Sequence, residues 1–105
     1  MSLSELRTSI LALLDRAGLS TQVKIREYEL NAAPRLELTR ATSDSVRYVR
    51  ITDVSDVGGA WQFAVLFGSY GHADWNQDID ARDGGSADRV LHLVETWLVR
   101  LARWR

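Results

Sequence analysis

Three carboxylates, a histidine and an asparagine share one parity between Gly71 and Ala81. His72, Asp74, Asn76, Asp78 and Asp80 alternate with Ala73, Trp75, Ile79 and Ala81. On a single strand they would form one polar stripe, with neighbours roughly 6.5–7 Å apart along the strand. That spacing is too wide for one small coordination sphere, since calcium gathers its oxygens at about 2.3–2.6 Å. The stretch also lacks the acidic spacing, the glycine and the closing glutamate of an EF-hand loop. It predicts no metal site and no cofactor.

Two readings of the stripe remain. It can be the solvated face of an edge strand, whose outward charges prevent edge-to-edge pairing. It can also be a docking face for a partner with a basic surface. On the second reading His72, Asp74, Trp75, Asn76, Asp78 and Asp80 bind the partner, with Trp75 as the aromatic member.

Catalytic constellations are poor. Ser69, His72 and Asp74 supply triad residue types, but they sit within six residues of one predicted hairpin and no nucleophile elbow surrounds the serine. Asp78 and Asp80 would need a water-poor cleft for acid–base work, which an exposed strand does not provide. Gly58-Gly59 and Gly84-Gly85 read as turn glycines and fit neither a P-loop nor a dinucleotide fingerprint. The expectation is a chain without catalytic residues.

Charge is unevenly spread along the 105 residues, although the net is only −1. Residues 1–50 hold eight basic and six acidic groups; residues 51–83 hold six aspartates and one arginine, Arg82. Arg47 with Arg50, and Arg100 with Arg103 and Arg105, are the local basic clusters. They do not make the basic face that a nucleic-acid platform needs, so the sequence argues against nucleic acid as a partner.

The elements that would carry these residues are legible from their periodicity. Ser2 and Glu5 fit a capping box, and Leu3, Leu6, Ile10, Leu13, Leu14 and Ala17 form one helical stripe, with Gly18 placed to end it. The spacing predicts a helix over 3–17. Strands follow over Thr21 to Leu30, Arg35 to Ala41 and Val46 to Val54. The apolar residues change parity between Ile25 and Tyr28, which predicts a bulge near Arg26–Glu27 or a switch of face. Residues 31–34 read as a turn. Trp61, Phe63, Val65 and Phe67 alternate in a central strand, and Ser69 to Gly71 would connect it to the striped strand. Ser86 then caps a second helix over 87–103, with Val90, Val94, Trp97, Leu101 and Trp104 on its apolar side.

Each helix has one apolar stripe and each strand roughly one apolar face. The simplest burial is a two-layer α+β sandwich. It comprises a four- to five-stranded antiparallel meander with both helices on one face, in the order α-β-β-β-β-β-α, as a single domain over 1–105. Without cysteine, a signal-peptide pattern or a long apolar run, the chain reads as cytoplasmic and membrane-free.

Four tryptophans and five further aromatic residues are more than a core of this size readily holds. Trp97 and Trp104 are therefore candidate oligomer contacts. The functional expectation is a non-catalytic protein-binding module, a small inhibitor of the immunity-protein or phage anti-defence type, that lays its acidic face on a basic partner. A homo-oligomeric structural or regulatory subunit, possible as a homodimer, and a secretion-chaperone-like protein are the alternatives; a nucleic-acid-binding domain and a small enzyme rank below them.

Overall fold

The computed structural model describes residues 2–41, 45–55, 59–71 and 77–102, with backbone alone at 77–80 and 99–102. Seven elements follow one another: α1 (Leu3–Ala17), β1 (Lys24–Leu30), β2 (Ala33–Ala41), β3 (Ser45–Asp53), β4 (Phe63–Gly71), β5 (Gln77–Gly85) and α2 (Ala87–Ala102). The strands form one antiparallel sheet in the order β1-β2-β3-β4-β5, a plain meander. This is the α+β arrangement that the alternating pattern calls for.

Local chemistry sets the ends of α1. Ser2 Oγ accepts from the Glu5 amide and Glu5 Oε1 accepts from the Ser2 amide, so two orphan donors are satisfied reciprocally. Gly18 closes the helix in the left-handed region, at φ 71°, and the Leu19 amide reaches back to the Leu14 carbonyl. Leu3, Leu6, Ile10 and Leu14 are the buried stripe.

Both helices cover the same side of the sheet. α1 contacts β2, α2 contacts β4 and β5, and the helices contact each other. The strands supply Leu36, Leu38, Val49, Ile51, Phe63 and Val65 to the shared core; α2 supplies Val90, Val94, Trp97 and Leu98. Each large side chain buried this way contributes about 1.5–3 kcal/mol.

Several local expectations change. The β1–β2 register runs unbroken through Arg26 and Glu27, so there is no bulge there. Ile25 packs against the core, whereas Tyr28 and Leu30 lie on the side away from the helices, and Leu30 is 48% exposed. Glu27 is on the helix side by register with Leu36, and Arg7 of α1 pairs with it there at 3.3 Å. The parity change is a switch of face.

The turn after β1 is shorter than residues 31–34. Asn31 and Ala32 both have positive φ, 54° and 61°, and Leu30 pairs with Ala33. That is a two-residue hairpin turn of the type I′ kind, whose twist matches the strands. Pro34 already belongs to β2, paired only with Glu29, because the β2–β3 ladder starts at Arg35. A residue without an amide hydrogen is tolerated before that ladder begins.

The largest change concerns the polar stripe. β4 continues through Ser69 to Gly71, and Tyr70 pairs with Gln77. The chain therefore reverses between Gly71 and Gln77, and positions 71–81 are not one strand. A second break follows. Gly68 pairs with Ile79 and Phe67 with Ala81, so Asp80 has no opposite number and forms a bulge.

Candidate functional site

The sheet face away from the helices has no second layer among the described residues. Strand register places its side chains in rows that cross all five strands. One row reads Arg26, Glu37, Arg50, Leu66, Arg82. The next reads Tyr28, Arg35, Thr52, Ala64, Gly84. On the other flank lie Lys24, Thr39, Tyr48 and Gly68. The described charged side chains of this face are Lys24, Arg26, Arg35, Arg50 and Arg82 against a single acid, Glu37. A chain of net charge −1 thus carries a strongly basic face.

Glu37 ties the middle of this face together. Its Oε2 accepts from Arg50 Nε at 2.6 Å and its Oε1 from Arg26 Nη2 at 3.2 Å. The two guanidiniums also lie over aromatic rings, Arg50 over Tyr48 at 4.2 Å and Arg26 over Tyr28 at 4.5 Å. Such stacking suits the flat, weakly hydrated guanidinium. Burial works against the Arg50 charge. The hydrogen bond and the charge of Glu37 outweigh it, and the Arg50 pKa lies above its ordinary value.

Tyr48 is completely buried although it stands on the face opposite the core. The Arg50 guanidinium covers its ring on one side, and the Tyr70 ring lies 6.0 Å away, tilted by 31°. The Tyr48 hydroxyl is buried without a hydrogen-bond partner among the described residues.

A hollow of about 310 Å³ opens beside the arginine row. Thr52, Ala64 and Leu66 contribute to its floor, and Arg35, Arg50, Arg82 and Trp61 to its sides. The hollow exists because its row falls away to small residues. Gly84 lets Trp61 lie against the sheet: a methyl group there would overlap the Trp61 ring and lie 2.7 Å from the Phe63 carbonyl oxygen. Trp61 precedes β4 rather than belonging to it and is 49% exposed, where the alternating pattern places it in the central strand.

Sequence reasoning missed this face. The signal was present in the common parity of Arg26 with Tyr28, Arg35 with Glu37, and Tyr48 with Arg50, but only register aligns the three pairs. Arg47, which seemed to cluster with Arg50, is three residues away and on the other face, opposite Arg40.

The residues singled out from the sequence fall differently. His72, Asp74, Trp75 and Asn76 lie outside the described residues, as does Trp104. Asp78 is opposite Ser69 in β5, and Asp80 is the bulge residue. Trp97 is 6% exposed and packs inside the monomer core, which leaves little of its ring for a second copy. No helix among the described residues is long and apolar enough to cross a membrane.

No protein-family model, curated protein or solved structure matches this chain.

Proposed function

We propose that this chain is a non-catalytic protein-binding module that lays its open sheet face on an acidic surface of another protein. The observation that carries this reading is the segregation of five basic side chains and one acid on the face that neither helix covers. Arginine, tyrosine and tryptophan are the residue types that anchor protein interfaces, and this face offers Arg26, Arg35, Arg82, Tyr28 and Trp61 together. Complementary charge would speed encounter and fix orientation more than it would add affinity. The inhibitor role, of the immunity-protein or anti-defence type, fits this reading with the charge sign reversed. The surface to be covered is acidic, and the working face is the sheet rather than the aspartates of residues 74–80.

The test compares two triple variants in capture of a partner from nuclease-treated source lysate. Arg26→Gln/Arg35→Gln/Arg82→Gln removes basic groups of the face; Asp74→Asn/Asp78→Asn/Asp80→Asn removes the aspartates of residues 74–80 instead. The expected result is a stoichiometric protein held by the wild type and the aspartate variant, released by moderate salt and lost by the arginine variant. Loss in the aspartate variant alone would refute the reading.

A further inference from the structure

Arg35 and Arg82 differ from the other arginines of the open face. Arg26 and Arg50 share the single carboxylate of Glu37. Among the described residues, Arg35 and Arg82 take part in no ion pair or hydrogen bond. Both line the hollow beside Trp61, and the Arg35 Nε is buried without an acceptor. Asp83, the one acid at the rim, is already occupied: Arg89 grips it through Nε at 3.2 Å and Nη2 at 2.9 Å.

The hollow therefore offers two uncompensated guanidiniums and one indole wall. Two unpaired cations match a dianion better than a single carboxylate. A phosphate monoester carries about −1.5 to −2 charges and three acceptor oxygens. Arginine forks bind such groups through paired, charge-assisted hydrogen bonds. The exposed Trp61 ring supplies a flat apolar surface for a ring attached to the phosphate. The phosphodiester of a nucleic acid has only one charge per phosphate and fits the pair less well.

Resting on the protein-partner reading above, we infer that the hollow between Arg35, Arg82 and Trp61 is the anchor site for a phosphorylated aromatic side chain of the partner.

The test is titration calorimetry of the full chain with N-acetyl-O-phosphotyrosine amide. The sulfate ester of the same shape, the unmodified tyrosine amide, inorganic phosphate and oligothymidylate serve as comparisons. The phosphate ester should saturate one site, and the sulfate monoanion and the unmodified amide should bind at least about tenfold more weakly. Arg35→Gln and Arg82→Gln should each weaken it about tenfold. Trp61→Ala should weaken the aromatic ester while leaving inorganic phosphate unchanged. Arg82 is exposed, so its variant tests the site even if Arg35→Gln perturbs folding. Equal binding of sulfate and phosphate esters, indifference to Arg82→Gln, or preference for oligothymidylate would overturn the inference. So would absence of binding by a wild type that still captures its acidic partner through the arginine face, and that outcome leaves the broader reading standing.

Discussion

Glu37 and Arg50 stand directly opposite each other on β2 and β3 and are joined by a 2.6 Å hydrogen bond. Their side chains are 12% and 23% exposed, so solvent screens the pair only in part. The same carboxylate holds Arg26, which makes Glu37 the internal counterion of the basic face.

Glu37→Gln should therefore move stability and binding in opposite directions. Losing the shared charge should cost about 1–2 kcal/mol, read as a lower denaturant midpoint. Releasing two guanidiniums should raise the association rate with an acidic partner at low salt. A variant that folds less stably and binds no faster would show that Glu37 serves only the fold.

Tyr48→Phe should not destabilise the protein, although the residue is fully buried. The change keeps the ring between Arg50 and Tyr70 and deletes a hydroxyl with no partner among the described residues. Removing an unsatisfied buried polar group is worth up to about 1 kcal/mol. A thermal midpoint equal to or above the wild type is expected; a clear fall would mean that the hydroxyl is satisfied.

Ala32→Gly should raise the melting temperature. Ala32 has φ 61°, a region that costs an L-residue about 1–2 kcal/mol and costs glycine nothing. The greater entropy of glycine in the unfolded chain offsets part of the gain, leaving about 0.5 kcal/mol. The same change at Ala33, inside β2, should lower it.

Much of the fold is legible in the sequence, because helix caps and apolar stripes are local signals. Ser2, Glu5 and Gly18 bound α1 without reference to anything distant. The basic face is not legible in this way. Period-two alternation says which residues of one strand share a face, but it does not say which residue of the next strand stands opposite. Arg26, Glu37, Arg50, Leu66 and Arg82 lie 11 to 16 residues apart, and only the completed ladder aligns them. Alternation is also blind to chain reversal. The polar parity runs on from His72 to Asp80 although Tyr70 and Gln77 are already paired. Trp61 misleads for the same reason, since its parity matches Phe63 while β4 begins only at Phe63.

Acid should loosen the junction between β5 and α2. The hydrogen bond from Arg89, and then that from the Gly84 amide, hold the Asp83 carboxyl below its ordinary pKa of 3.8. A carboxyl with a lowered folded-state pKa stabilises the protein above the unfolded value and loses that contribution as pH falls through the folded one. The contribution should thus be complete at neutral pH and be lost progressively as pH falls below about 4. Asp83→Asn should flatten that part of the acid limb, and added salt should do the same to the wild type because the pair is exposed. An acid limb identical in variant and wild type would refute this.

Each strand of the meander pairs only with its neighbour in sequence, whereas the contact between α1 and α2 joins the first element to the last. The ladders need only short loops to close, and short closures are entropically cheap and fast. The helix layer is the one part that must wait for distant segments to meet. Without α2, Phe63 and Val65 on β4 would lose the cover of Val90, Val94 and Trp97. Any opening that undocks α2 from the native fold would expose that apolar side and favour self-association.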